Sequence, residues 1–137
     1  MDYKLLISKA QEAQQNSYSP YSKFKVGACV LTDDGEYISA TNVENASYGG
    51  TICAERNALN QAVSKGKKNI VAIAITSQSG DYTYPCGLCR QSLVEFNPEM
   101  KVVVAKNIED YRVHTASELL PYFFNGGDIK WEQLLKK

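Results

Sequence analysis

At 137 residues, with 44% hydrophobic and 22% charged side chains, the chain has the size and composition of one water-soluble domain with a real core. Fifteen Lys and Arg balance fifteen Asp and Glu, which argues against an electrostatic grip on a nucleic-acid polymer and favours a small, nearly neutral ligand. No apolar run reaches bilayer length, and the start, Met1-Asp2-Tyr3-Lys4, carries none of the marks of a secretory signal, so the cytoplasm is the expected compartment.

Leu5, Leu6, Ala10 and Ala13 recur at helical spacing and predict an amphipathic helix from Tyr3 to Gln15. Asn16 to Tyr21 is turn material, with Pro20 barring continuation. Lys25 to Leu31 and Tyr37 to Val43 read as strands around Asp34-Gly35, a strong hairpin signal. Asn42 to Thr51, rich in Asn, Ser and Gly, is a loop. Cys53 to Lys65 is a helix that Gly66 stops. The unbroken apolar run from Ile70 to Thr76 predicts a strand buried on both faces. A loop over Ser77 to Pro85 leads to a helix over Gly87 to Phe96. Lys101 to Ala105 is another buried strand, and Tyr111 to His114 a short edge strand. Ser117 is expected to cap a turn at Glu118-Leu119-Leu120. The order α-β-β-α-β-α-β-β-α predicts an α/β fold: a three-layer α/β/α sandwich around a mixed sheet of about five strands.

Four cysteines are present. In a reducing compartment they are more often metal ligands or nucleophiles than disulfides. Cys29 sits in a strand among Val26, Ala28 and Val30 and reads as a small buried apolar residue. The other three fall in Cys53-Ala54-Glu55-Arg56 and Pro85-Cys86-Gly87-Leu88-Cys89-Arg90, each at a helix start. Cys86 and Cys89 share a face of the first turn, and a sheet can bring two helix starts together. Three converging thiolates suit Zn²⁺, one ion per chain, and leave the fourth position open to water, as in a catalytic site. Arg56 and Arg90, each beside a ligand segment, can offset the thiolate charge by hydrogen-bonding sulfur. Glu55, two residues past Cys53, can reach the water without occupying the ion and can move its proton. A structural four-ligand site completed by Cys29 or by His114, the single histidine, leaves Glu55 without a role.

Cys-x-Glu followed by Pro-Cys-x-x-Cys resembles the signature of the zinc-dependent nucleobase deaminases. The likeness narrows further. Ser19-Pro20-Tyr21-Ser22-Lys23-Phe24-Lys25-Val26-Gly27-Ala28, Asn42-Val43-Glu44-Asn45-Ala46-Ser47-Tyr48, and Leu119-Leu120-Pro121 with Phe124 and Asp128-Ile129 resemble segments of the small cytidine deaminases, in their order. The resemblance implies hydrolytic loss of the C4 amino group from cytidine or deoxycytidine. It also implies Cys53, Cys86 and Cys89 as zinc ligands, Glu55 as proton shuttle, and Asn42 and Glu44 as partners of the ribose hydroxyls. Phe24 would pack on the pyrimidine, with Ala54 also in the substrate pocket. Phe124, and with it Tyr48, would complete the site of a neighbouring subunit in a homotetramer. The chain departs from the family's pattern at Asn57, at Gly49-Gly50 and at Tyr122-Phe123-Phe124, where either Phe123 or Phe124 can be the stacking ring. Two other readings stay open: a deaminase of a modified nucleoside or of a base in RNA or DNA, and a zinc-stabilised binding module without activity.

Overall fold

The computed structural model describes residues 1–128; Ile129 and the short helix expected after it lie outside the described residues. Helix α1 (Tyr3–Gln14) is capped by Asp2, whose carboxylate accepts from the Leu5 amide at 3.0 Å. Strands β1 (Val26–Thr32) and β2 (Tyr37–Thr41) form the expected antiparallel hairpin, turning at Gly35 with φ of 87°. Helix α2 (Ala54–Ser64) ends before Gly66, and β3 (Ile70–Ser77), α3 (Gly87–Phe96), β4 (Lys101–Ala105), β5 (Tyr111–Thr115) and the short α4 (Ala116–Leu119) follow. Element ends shift by one residue in several places, and two larger details differ from the sequence pattern. β2 stops at Thr41, because Val43 leaves the ladder to bridge Tyr18 and Ile52. Thr115, not Ser117, caps α4, its hydroxyl accepting from the Glu118 amide at 3.2 Å.

The sheet runs β2-β1-β3-β4-β5, with β3 and β4 the parallel pair and every other pairing antiparallel. Central β3 is apolar on both faces because both are covered. Ala72 and Ala74 pack with Leu6, Ile7 and Ala10 of α1, whereas Ile73 and Ile75 pack with Ala58 and Leu59 of α2 and Leu93 of α3. Each fully buried Ile or Leu contributes ~1.5–3 kcal/mol, so the two faces hold the three layers together.

The connectivity places the site. β2 and β3 both run opposite to β1, so their carboxyl ends lie at the same edge of the sheet. α2 follows β2 and α3 follows β3, and both pack on the same face. Their amino-terminal ends therefore open towards one another above that edge, where α/β sheets usually bind ligands.

Candidate active site

Cys53 and Cys86 are the residues immediately before α2 and α3. Both are extended, with ψ of 154° and 172°, and neither sulfur caps a backbone amide of its own helix. Cys89 lies fully buried in the first turn of α3. The three sulfurs all stand within 4.8 Å of one another, with Cys53 and Cys86 3.8 Å apart. Two sulfurs bound at ~2.3 Å in a tetrahedron are separated by ~3.8 Å, so the cluster fits zinc without rearrangement of that pair.

Neither proposed fourth ligand is available. Cys29 belongs to the core on the α1 side of the sheet, and His114 is bonded to Tyr84. Among the described residues no other set of three metal-binding side chains forms. The site is a three-thiolate zinc centre, one per chain.

Hydrogen bonding by the Cys89 thiol favours the thiolate of Cys53 and lowers its pKa, helped by Arg56 and Cys86 against the opposing effect of burial. Cys89 is pushed well up, by its bond to Cys53 and by its own burial. Arg56 Nη2 lies 3.9 Å from Cys53 Sγ, as its position predicts. Its Nε is buried without a hydrogen-bond partner among the described residues, which fits a guanidinium committed to diffuse negative charge on sulfur.

Arg90 corrects the expectation. It donates from Nε to the Pro85 carbonyl at 2.7 Å and from Nη1 to the Leu119 carbonyl at 2.8 Å, bracing the Cys86 segment instead of bonding a thiolate. Helical spacing does not decide this, since Arg90 follows Cys86 by four positions as Arg56 follows Cys53 by three; the two carbonyls claim the Arg90 guanidinium.

Glu55, in the first turn of α2, is the one buried carboxylate among the described residues, with 5% of its surface exposed. Burial raises it to about 7, and the negative charge on Cys53 adds to this. It opens into a cleft of about 240 Å³ with Cys53, Cys86, Ala54, Phe24, Asn42 and Glu44 in its walls. The structure thus assembles most of the expected residues.

Asn42 and Glu44 also build that wall. The Asn42 carboxamide donates to the Phe24 carbonyl at 2.8 Å and accepts from the Val26 amide at 3.0 Å. Glu44 accepts from the amides of Tyr21 and Ser22, both at 3.0 Å, and from the Ser22 hydroxyl. The Ser22 bonds hold its carboxyl below the usual range. Backbone around Lys23, at φ of 62°, is thereby clamped so that Phe24 meets the cleft.

Tyr48 and Phe124 are not in the cleft of their own chain. Tyr48 lines an adjoining hollow of about 400 Å³ that shares Ser22, Glu44 and Thr51 with the cleft, and 76% of it is exposed. Phe123 packs on the core, whereas Phe124 is 56% exposed, and its carbonyl accepts from Gln91 Nε2 at 2.8 Å. Of the two rings, Phe124 is the more exposed. Thr51, Thr83 and Tyr84 also line the cleft; in the sequence only their adjacency to Ile52-Cys53 and Pro85-Cys86 marks them.

Cys29 supplies an internal control. Burial raises its thiol from the ordinary 9.0 to about 12. A pKa raised on folding contributes stability that is complete below pH 9 and is lost as pH climbs towards 12. Cys29→Ala is expected to leave zinc content unchanged and to lessen the alkaline loss of stability, checked by metal analysis and by melting curves across that range.

Three thiolates open at a fourth position, with a buried carboxylate beside them, are the machinery of a zinc hydrolase. Residues 1–106 match the family described as the cytidine and deoxycytidylate deaminase zinc-binding region. The cytidine deaminase of Halalkalibacterium halodurans is 45% identical over 94% of this chain and 98% of its own. The crystal structure of the Burkholderia pseudomallei cytidine deaminase superposes with a TM-score of 0.85 at 43% identity, covering 90% of this chain and 100% of that one. A blasticidin-S deaminase from Bacillus cereus is more distant, 32% identical over 73% of this chain and 76% of its own. The chain belongs to the cytidine and deoxycytidylate deaminase family.

Proposed function

We propose that the chain hydrolyses free cytidine and 2′-deoxycytidine, releasing ammonia and leaving uridine or 2′-deoxyuridine. The observation that carries this reading is the meeting of three cysteine sulfurs with the buried Glu55 in one nucleoside-sized cleft. When bound, zinc supplies a Lewis acid that makes water acidic near neutral pH. Glu55 takes one proton from the attacking water and places it on the pyrimidine ring nitrogen, where it stays, and then carries the proton of the added hydroxyl to the departing amino group. Oxygen bonds to C4, the bond from C4 to the amino nitrogen breaks, and ammonia leaves. Arg56 offsets the negative charge of the thiolates, and Arg90 holds the Cys86 segment in place.

Phe24 packs against the base, and Ala54 lies in the pocket between Cys53 and Glu55. Asn42 and Glu44 take the ribose hydroxyls, chiefly the 3′ one. A carboxylate offers about four acceptor positions, and Glu44 uses three on the Tyr21–Ser22 segment. It is therefore pre-aimed, with acceptor capacity left for a sugar hydroxyl. Gripping a free 3′-hydroxyl excludes a continuing chain, which sets the substrate apart from RNA or DNA.

The decisive assay follows cytidine conversion by absorbance, with and without a chelator. Turnover that chelation removes and zinc restores is expected; a zinc-loaded protein inert to both nucleosides refutes the reading and leaves a binding module. Free cytosine is expected to be a very poor substrate, because it lacks the sugar hydroxyls that Asn42 and Glu44 would bind. Equal turnover of cytosine contradicts their assignment. The blasticidin-S relative makes a nucleoside-antibiotic deaminase the second reading, and faster turnover of blasticidin S than of cytidine would favour it.

The reading extends to a cytoplasmic homotetramer serving pyrimidine salvage. No helix among the described residues is long and apolar enough to cross a membrane. Exposed Phe124 and Tyr48 support this reading, in which each would complete a partner's cleft. Phe124→Ala should weaken nucleoside binding at unchanged zinc content. Mixed with inactive Glu55→Gln chains, it should regain binding in sites that combine an intact Glu55 with a partner's Phe124. A fully active monomer, by light scattering and assay at one concentration, contradicts this.

A further inference from the structure

The loop that delivers Cys86 to α3 leans on β5 through two tyrosines. Arg112 lies 4.2 Å from the ring centroid of Tyr82, whose hydroxyl donates to Asp110. The Tyr84 hydroxyl stands 3.0 Å from His114 Nε2, with the two ring centroids 5.4 Å apart. His114 Nδ1 in turn faces Glu118 Oε2 at 3.9 Å, and the other Glu118 oxygen accepts from Thr115 Oγ1 at 3.0 Å. A carboxylate on the Nδ1 side favours the tautomer protonated there, so that Nε2 accepts from the Tyr84 hydroxyl. Arg112 and His114 pair with Val104 and Val102, which belong to the core under α2 and α3. Both side chains thus stand on the face of the sheet that carries the site.

Tyr84 is also a wall of the cleft, beside Thr83 and Cys86. Ser22, Glu44 and Thr51 continue into the adjoining hollow and so mark the end away from the sulfurs. A substrate carbon attacked near the sulfurs and Glu55 must present its own substituents to the Cys86 end. A phenol there, tethered at its hydroxyl, cannot swing aside for a larger group. We infer that Tyr84, held by His114 and Glu118, is a selectivity residue that limits the size of the group on the exocyclic nitrogen of the base. His114 and Glu118 act through Tyr84 as positioning residues. The inference rests on the nucleoside deaminase reading.

The test is kcat/KM for N4-methylcytidine relative to cytidine, measured on zinc-loaded protein. Both substrates gain the same oxygen at C4 and lose the same C4 to nitrogen bond, one releasing methylamine and the other ammonia. Tyr84→Ala should raise the ratio by at least ~10-fold, the lower end of what one methyl group is worth in a closed pocket. The ratio for 2′-deoxycytidine, set at the sugar end, should not change. His114→Ala should raise the N4-methyl ratio by a smaller factor, and His114→Gln, which keeps an acceptor, should return it towards wild type. Metal analysis should find equal zinc in every variant. An unchanged N4-methyl ratio in Tyr84→Ala, or a deoxycytidine ratio that moves as far, overturns the selectivity role. An unchanged ratio in His114→Ala overturns the positioning role. A wild type inert to cytidine and deoxycytidine alike overturns the deaminase reading beneath both.

Discussion

Glu55→Gln should lower turnover of cytidine by at least ~10²-fold while leaving zinc content and melting temperature near those of the wild type. The amide has the size of the carboxylate and keeps an acceptor oxygen, but it cannot take a proton from water and hand it on. The site makes the loss severe because nothing else present can substitute. Glu55 is the one buried carboxylate among the described residues, and Glu44 is occupied with the Tyr21–Ser22 segment. The single histidine is tied to Tyr84. Stability should not fall, since replacing a buried carboxylate by a neutral amide removes a desolvated charge. Steady-state kinetics with metal analysis checks this, and near-normal turnover would mean that protons travel by another route.

A second large effect is expected far from the chemistry. A Cβ built on Gly27 would stand 2.0 Å from the Ala10 carbonyl oxygen and 2.8 Å from the Gln14 amide nitrogen. Helix α1 therefore rests directly on the backbone of β1, and Gln14 Oε1 accepts from Thr76 Oγ1 at 2.8 Å to hold it there. Overpacking a core with flexible side chains costs ~1–3 kcal/mol. Here the obstruction is helix backbone, so Gly27→Ala should cost at least ~3 kcal/mol, a large share of the ~5–15 kcal/mol that holds a typical domain together. Denaturant unfolding at fixed protein concentration measures it. A midpoint equal to that of the wild type would show that α1 does not dock so closely.

The metal site was legible because its information is local. Two short motifs each begin a helix, and helix starts place Cys86 beside Cys89 and Glu55 beside Cys53 whatever the rest of the chain does. The strands were legible for the same reason, through the apolar run at Ile70 and the turn at Gly35. What brings the two motifs together is not local. It depends on β1 running opposite to both β2 and β3, so that α2 and α3 start at one edge. Arg90 shows how adjacency misleads: it sits next to a ligand in sequence, yet its hydrogen bonds reach Pro85 and Leu119. The Tyr84–His114 contact joins residues 30 positions apart, and no spacing rule announces it. Asn42 and Glu44 carry backbone of the Tyr21–Val26 segment as well as facing the cleft, a double duty that composition cannot display.

X-ray absorption at the zinc edge of the resting protein, with metal content measured on the same sample, tests the central claim most directly. The account predicts about one zinc per chain, with three sulfurs at ~2.3 Å and one oxygen or nitrogen at ~2.0 Å. Four sulfurs around the ion, or protein that turns over cytidine fully with no zinc bound, would contradict it.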